Sequence, residues 1–164
     1  MIDNFVAQLR ANDCVVHGPV ATAEARARIR AIVDGPAACN ADLPFDLDFE
    51  ALRPDDPAWR DRLPAVWYGI TGARLAIAEP AAIALAAGPG APRATSLLPP
   101  VHICVLRVAD VVPSFADAFA HLGTELPSAL TWIGGPSRTG DLEMIITLGV
   151  HGPRTVEVVL LDEG

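Results

Sequence analysis

Residues 101–106, Val-His-Ile-Cys-Val-Leu, are apolar at odd and even positions alike, apart from one histidine. Strand side chains alternate between two faces, so a run of this kind needs cover on both. That points to the middle of a sheet with layers above and below it. Ala129–Ile133 and Thr155–Leu161 predict further buried strands of the same sort. Between these runs the spacing turns helical. Ile2, Phe5, Val6 and Leu9 fall at i, i+3, i+4 and i+7 and predict a helix over 2–11. Thr22 is placed to cap a second helix with the stripe Ala25, Ile29, Ile32 and Val33, which Gly35-Pro36 then stops. Ser114 and Asp117 form a capping box ahead of Phe115, Ala118, Phe119 and Leu122, and Gly123 ends that helix.

Shorter elements complete the pattern. Cys14–His17 predicts a strand closed by Gly18-Pro19, and Asp56-Pro57 opens a short helix running to about Leu63. Val66–Ile70, Leu75–Ala78 and Ala82–Leu85 predict strands around turns, and a short helical stretch follows from about Asp141 to Leu148. Strands alternating with helices predict a three-layer α/β fold, its sheet mainly parallel, with helices on both faces and antiparallel pieces around 66–86. With 164 residues and neither an internal repeat nor a linker, one domain over 1–164 is expected.

Composition excludes several classes of function. A net charge of −8 argues against a nucleic-acid partner, which needs a basic face. No apolar stretch long enough for a membrane span is free of charge or proline, and Met1-Ile2-Asp3-Asn4 lacks the basic start of a secretory signal. A cytoplasmic protein is the expectation. All 12 basic residues are arginine, which rules out Schiff-base catalysis and a lysine-dependent phosphate loop. Cys14, Cys39 and Cys104 stand far apart and read as small buried hydrophobes, not as a disulfide or cluster-ligand set. Four scattered histidines do not make a metal set, so no metal is expected. The carboxylates from Asp42 to Asp56 lack the order of a calcium loop and read as a solvated connection, as Arg26, Arg28 and Arg30 read as a solvated helix face.

Three segments are candidates for chemistry. Gly134-Gly135-Pro136-Ser137-Arg138-Thr139-Gly140-Asp141 lies between a predicted strand and a predicted helix start. Small residues there let amides approach an anion; Ser137 and Thr139 add hydroxyls, and Arg138 adds a planar fork for carboxylate or phosphate. A tight turn capped by Thr139 or Asp141 explains the same residues. His151-Gly152-Pro153-Arg154 is a turn carrying a titratable and a cationic side chain, fit for a site or for backbone bonding. Glu79-Pro80 interrupts an apolar run, where Glu79 serves either as a base or nucleophile or as a strand-end charge. His102 reads as a satisfied core imidazole.

The run GGPSRTGDLEMIITLGVHGPRTVEVVLL (134–161) resembles the lactate-utilization (LUD) domain, of the lactate utilization protein C type. GITGARLAIAEPAAIAL (69–85) and LLPPVHICVL (97–106) agree in order, so the resemblance spans residues 66–161. It implies a fold similar to glucosamine-phosphate isomerases, ribose-phosphate isomerases and coenzyme A transferases. It also implies a role in L-lactate oxidation to pyruvate as a cluster-free subunit, with iron–sulfur clusters in partner subunits and no cofactor in this chain. The motif falls on Glu79, Gly135, Pro136, Ser137, Arg138, Asp141, Glu143, Gly149, His151, Gly152 and Pro153. By this resemblance Glu79 and His151 are catalytic candidates. Gly135, Ser137, Arg138, Thr139, Asp141, Glu143 and Gly152 are candidates for holding a small organic anion: lactate-like, phosphate or coenzyme A. Where the family has Thr-Gly after the glutamate, this chain has Pro80-Ala81, which loses a hydroxyl and an amide hydrogen. Two other readings stay open: a self-contained isomerase or coenzyme A transferase type of enzyme using Glu79, and a non-catalytic regulatory binding module.

Overall fold

A computed structural model describes residues 1–124, 127–140, 146–149 and 151–163. Helix α1 (Ile2–Ala11) leads into strand β1 (Val15–Val20), helix α2 (Thr22–Ile32) and strand β2 (Ala37–Cys39). An irregular stretch reaches the short helix α3 (Trp59–Arg62), after which strands β3 (Tyr68–Gly72), β4 (Leu75–Ile77) and β5 (Ala82–Ala87) follow. Then come α4 (Ala94–Leu97), β6 (Val101–Arg107), β7 (Val111–Val112), α5 (Phe115–Leu122) and β8 (Ala129–Ile133). Strands β9 (Arg138–Gly140), β10 (Ile146–Leu148) and β11 (Thr155–Leu161) complete the order.

Five strands form a wholly parallel sheet in the order β1-β11-β6-β3-β2. The doubly apolar run therefore sits in the middle, as its covered faces require. Ile103 and Val105 of β6 and Val159 and Leu161 of β11 pack with Ala25, Ile29 and Val33 on and after α2. Cys104 and Leu106, with Val156, Val158 and Leu160, point the other way toward Phe5, Val6 and Leu9 of α1. Helices thus lie on both faces, as expected. Phe5, Leu9 and Ile29 are fully buried, each worth about 1.5–3 kcal/mol of transfer free energy.

The antiparallel pairs β4-β5 and β5-β8 gather into a second, mixed sheet, β7-β4-β5-β8, in which β7 runs parallel to β4. It shares the α1 side of the parallel sheet through Ala76, Ile83 and Val111. Helix α5 covers its outer face with Ala118 and Leu122 against Leu75, Ile77 and Ala84. Only half of the expected α5 stripe is buried: Phe115 and Phe119 are exposed, Phe115 standing edge-on to Trp132 with ring centroids 5.1 Å apart. Strand β8 is half-buried instead of buried, because it forms the end of this sheet with β5 on one side.

Other expectations shift in detail. Strand β1 continues through Gly18-Pro19, with a register irregularity between His17 and Val20 and a cis peptide before the proline. A strand at the sheet margin tolerates the missing amide hydrogen. Thr22 is not the cap of α2. The N-cap is Ala21, which has no capping side chain, and the Thr22 hydroxyl donates to Glu163 at 3.0 Å. Asp56 accepts from the Ala58 amide at 2.8 Å and so prepares α3. Ile146–Leu148 forms a strand, not a helix: β10 pairs antiparallel with β9, Gly140 opposite Ile146 and Arg138 opposite Leu148. The acidic stretch does more than connect, because Phe45 and Phe49 pack on the α2 side of the core under the guanidiniums of Arg26 and Arg30, 5.8 and 5.4 Å from their ring centres.

Candidate functional site

The glycine bend begins where β8 ends, and two other chain segments close around it. The turn Glu79-Pro80-Ala81 between β4 and β5 abuts its start, a Cβ at Gly134 falling 3.8 Å from the Ala81 carbonyl oxygen. Glu79-Pro80 is a cis peptide and Ala81 takes φ +54, a left-handed conformation that favours glycine. Gly135 lies on the end of α1, where a Cβ would stand 2.4 Å from the Asn12 carbonyl oxygen. The Ser137 amide donates to the Pro153 carbonyl at 3.0 Å and its carbonyl accepts from the Gly149 amide at 2.8 Å. Gly152 packs on the Ser137 side chain, with a Cβ there 3.2 Å from the Ser137 Cβ.

The segments at 79–81, 134–138, 149 and 151–153 therefore come together, with Glu79 and His151 both exposed. The backbone of Thr139 pairs with Thr147. Asp141 and Glu143 lie outside the described residues. Several expectations about chemistry change. Arg138 itself begins strand β9, and the expected helix start at Asp141 lies outside the described residues. The Ser137 amide is used inside the protein and is not free for a ligand. Arg138 is paired: its Nη2 donates to Asp13 Oδ2 at 2.5 Å, in an ion pair with both side chains well exposed. The cluster gathers at the end of the parallel sheet where β1 and β11 begin, because β8, which carries the bend, belongs to the other sheet.

The cation left available is Arg154. Gly149 takes φ +75, and a Cβ there would fall 2.1 Å from the Arg154 Cγ, so the glycine leaves room for the arginine stem to pass. The Arg154 amide is anchored to the Pro100 carbonyl at 2.8 Å, and its guanidinium has no acceptor among the described residues. It borders an open groove of about 430 Å³ walled by Trp67, Leu98, Pro100, Gly149, Gly152 and Thr155. Trp67 and Leu98 are each 59% exposed. A cation beside apolar walls suits a small organic acid: carboxylate on the guanidinium, carbon skeleton on the walls.

The three cysteines are free and buried, and burial pushes the thiols of Cys14 and Cys39 up to about 11 and that of Cys104 up to about 12. They are inert at neutral pH. His102 is likewise in the core, 2.9 Å from the Thr71 hydroxyl, and burial pushes it down to about 4. Among the described residues no group of three or more His, Cys, Asp or Glu side chains is placed to hold a metal ion. No helix among them is long and apolar enough to cross a membrane.

The model of the LUD domain family matches residues 37–161. The chain belongs to that family. The match takes in β2 and the irregular stretch as well as the segments from 66 onward that carry the sequence resemblance. Lactate utilization protein C of Deinococcus radiodurans is 33% identical over 168 residues, covering 98% of this chain and 76% of that protein. The protein of the same name from Bacillus velezensis is 35% identical over 101 residues, 58% of this chain and 42% of its own length. That from Exiguobacterium is 39% identical over 101 residues, 44% of its length. This LUD domain chain thus spans less than half of several relatives it matches. A crystal structure of a DUF162 family protein from Deinococcus radiodurans superposes with a TM-score of 0.75 at 24% identity, over 98% of this chain and 95% of that one. It establishes the LUD fold described above.

Sequence reasoning placed the anion on Arg138, took Arg154 only as the cationic side chain of a second candidate turn, and passed over Trp67. The signal was present: Arg154 directly follows the Gly-Pro turn of the same LUD motif. What no local pattern shows is that Asp13, from the other end of the chain, occupies Arg138.

Proposed function

We propose that this chain serves lactate utilization, as the cluster-free subunit of an iron–sulfur L-lactate oxidation system, and that it holds a small organic anion at Arg154. The single observation that carries the reading is that the LUD motif turn carrying Gly149 and Gly152, held to the glycine bend through Ser137, borders an Arg154 guanidinium with no acceptor among the described residues. The names of the related proteins support the pathway. The isolated, buried cysteines fit a subunit whose electrons are carried by its partners. In this reading Arg138 is a positioning residue: with Asp13 it fastens the bend to the end of α1, and the bend in turn holds Gly149 and Pro153 through Ser137. Glu79 stands exposed at the margin.

The test is titration of the purified chain with L-lactate and pyruvate by calorimetry, beside the Arg154→Ala variant. A charge-assisted contact of this kind contributes enough that its loss weakens binding about tenfold or more. Co-purification with iron–sulfur subunits from a lactate-grown host tests the assembly. A chain that binds neither acid and associates with no such subunit overturns the reading. Carboxylate binding that survives Arg154→Ala moves the anion elsewhere.

A further inference from the structure

The opposite end of the parallel sheet, where β2, β3 and β6 finish, holds a cleft that contains none of the candidate site residues. Open α/β sheets bind ligands outside the carboxyl ends of their strands. Here a cavity of about 380 Å³ is lined by Asp42, Arg74, Arg107, Asp110 and His121, with small residues such as Ala73 and Gly88 leaving the space. A second lobe of about 240 Å³ shares Asp42, Ala73, Arg107 and Asp110.

The charges are arranged by the sheet. β3 ends at Gly72 and β6 at Arg107, and the Ala73 amide donates to the Val105 carbonyl at 2.8 Å, which sets the two strand ends side by side. Asp42 follows β2 and accepts from the Gly72 amide at 2.9 Å. A Cβ at Gly72 would stand 2.2 Å from the Asp42 carbonyl oxygen, so this close approach requires glycine. Loss of water around the Asp42 carboxyl raises its pKa, against the lowering effect of amide hydrogen bonds from Gly72 and from Asp42 itself. The guanidinium of Arg74 has no acceptor among the described residues. Arg107 has Glu163 at 3.7 Å, beyond hydrogen-bond length. Two guanidiniums and an imidazole from three different elements thus border one cavity, facing no closely bonded carboxylate.

We propose that this cleft is a second binding site, for a hydroxylated dianion. A lone carboxylate is satisfied by one guanidinium fork. Two guanidiniums with an imidazole beside them offer more donors than that and suit a doubly charged group. Asp42 and Asp110 repel a ligand that is anionic throughout, whereas they accept hydrogen bonds from hydroxyls on its other end. A phosphate ester of a polyol and a hydroxy-dicarboxylate both have this chemistry. The site is independent of the anion proposed at Arg154.

The experiment is calorimetric titration of the full chain with glycerol 3-phosphate and with L-malate. Glycerol, inorganic phosphate and succinate serve as the incomplete probes. One of the two hydroxylated dianions saturates the chain and binds about tenfold more tightly than its incomplete counterparts. Arg74→Gln and Arg107→Gln, both at exposed positions, each weaken it about tenfold, while Arg154→Ala leaves it unchanged. Asp42→Asn narrows the preference for L-malate over succinate if malate is the ligand, or for glycerol 3-phosphate over inorganic phosphate if the ester is. Circular dichroism confirms that the variants fold. The proposal is overturned if neither dianion binds saturably, or if binding survives in the Arg74→Gln/Arg107→Gln double variant. Loss through Arg154→Ala assigns the dianion to the other groove and equally overturns it.

Discussion

The two ends of the parallel sheet spend their charged and polar groups differently. At the end where β1 and β11 begin, the LUD motif segments bind one another: Arg138 takes Asp13, the Ser137 amide takes Pro153, and Gly135 rests on Asn12. Among the described residues there, the Arg154 guanidinium is left without an acceptor. At the end where β3 and β6 stop, Arg74 and Arg107 border a cavity, and among the described residues neither has a carboxylate at hydrogen-bond distance. A motif rich in hydroxyl, guanidinium and glycine can be mainly self-fastening, and the open groups can lie where no motif drew attention.

The largest effect should come from acid. His102 lies in the sheet between these ends, fully buried and neutral, at about 4 against an ordinary value of 6.5. Because the fold lowers this pKa, its contribution is complete above pH 6.5 and is lost as pH falls toward 4. The loss amounts to roughly 3 kcal/mol over that window. Urea midpoints at pH 7.5, 6 and 5 measure it, and His102→Gln should flatten the fall between pH 6.5 and 5. A flat profile in the unaltered protein would show that the imidazole reaches water, and that the sheet interior is not sealed.

A pair of glycine substitutions compares the ends directly. Alanine at Gly135 meets the Asn12 carbonyl and alanine at Gly72 meets the Asp42 carbonyl, at nearly equal separations. Both clashes are with backbone and the one at Gly72 is tighter, so Gly72→Ala is expected to cost about 3 kcal/mol and Gly135→Ala somewhat less, within the range typical of overpacking. Equal costs in urea unfolding would remove the distinction. The smallest effect is expected from Arg138→Ala. Its ion pair with Asp13 is exposed on both sides, so the stability change should stay within about 1 kcal/mol. A larger loss in thermal or urea unfolding would make Arg138 a structural keystone of the bend.

Much of the fold was legible because burial leaves a pattern. Val101–Leu106 is covered on both faces, and Ile2–Ala11 and Thr155–Leu161 have the bounds their spacing predicts. Where local pattern was short, it misled. Ile146–Leu148 supports strand or helix equally, and only its pairing with Arg138–Gly140 decides. The apolar Phe115 and Phe119 fit a buried stripe that the second sheet does not extend far enough to cover. The candidate site was legible as a set of segments, and Ser137, Gly149, Gly152 and Pro153 do meet. The partner of Arg138 was not legible, since Asp13 lies 125 positions away. Arg74 and Arg107 become conspicuous only once the strands before them are known to be neighbours.

Strand β11 inserts between β1 and β6, and among the described residues β1 has no other sheet partner. During synthesis the first strand must therefore wait for residues 155–161 to emerge from the ribosome before it is hydrogen-bonded on either side. Until then Val15–Val20 is a bare template for the wrong neighbour. A nascent chain of this kind depends on α1 and α2 to shield that strand, or on a chaperone to do so.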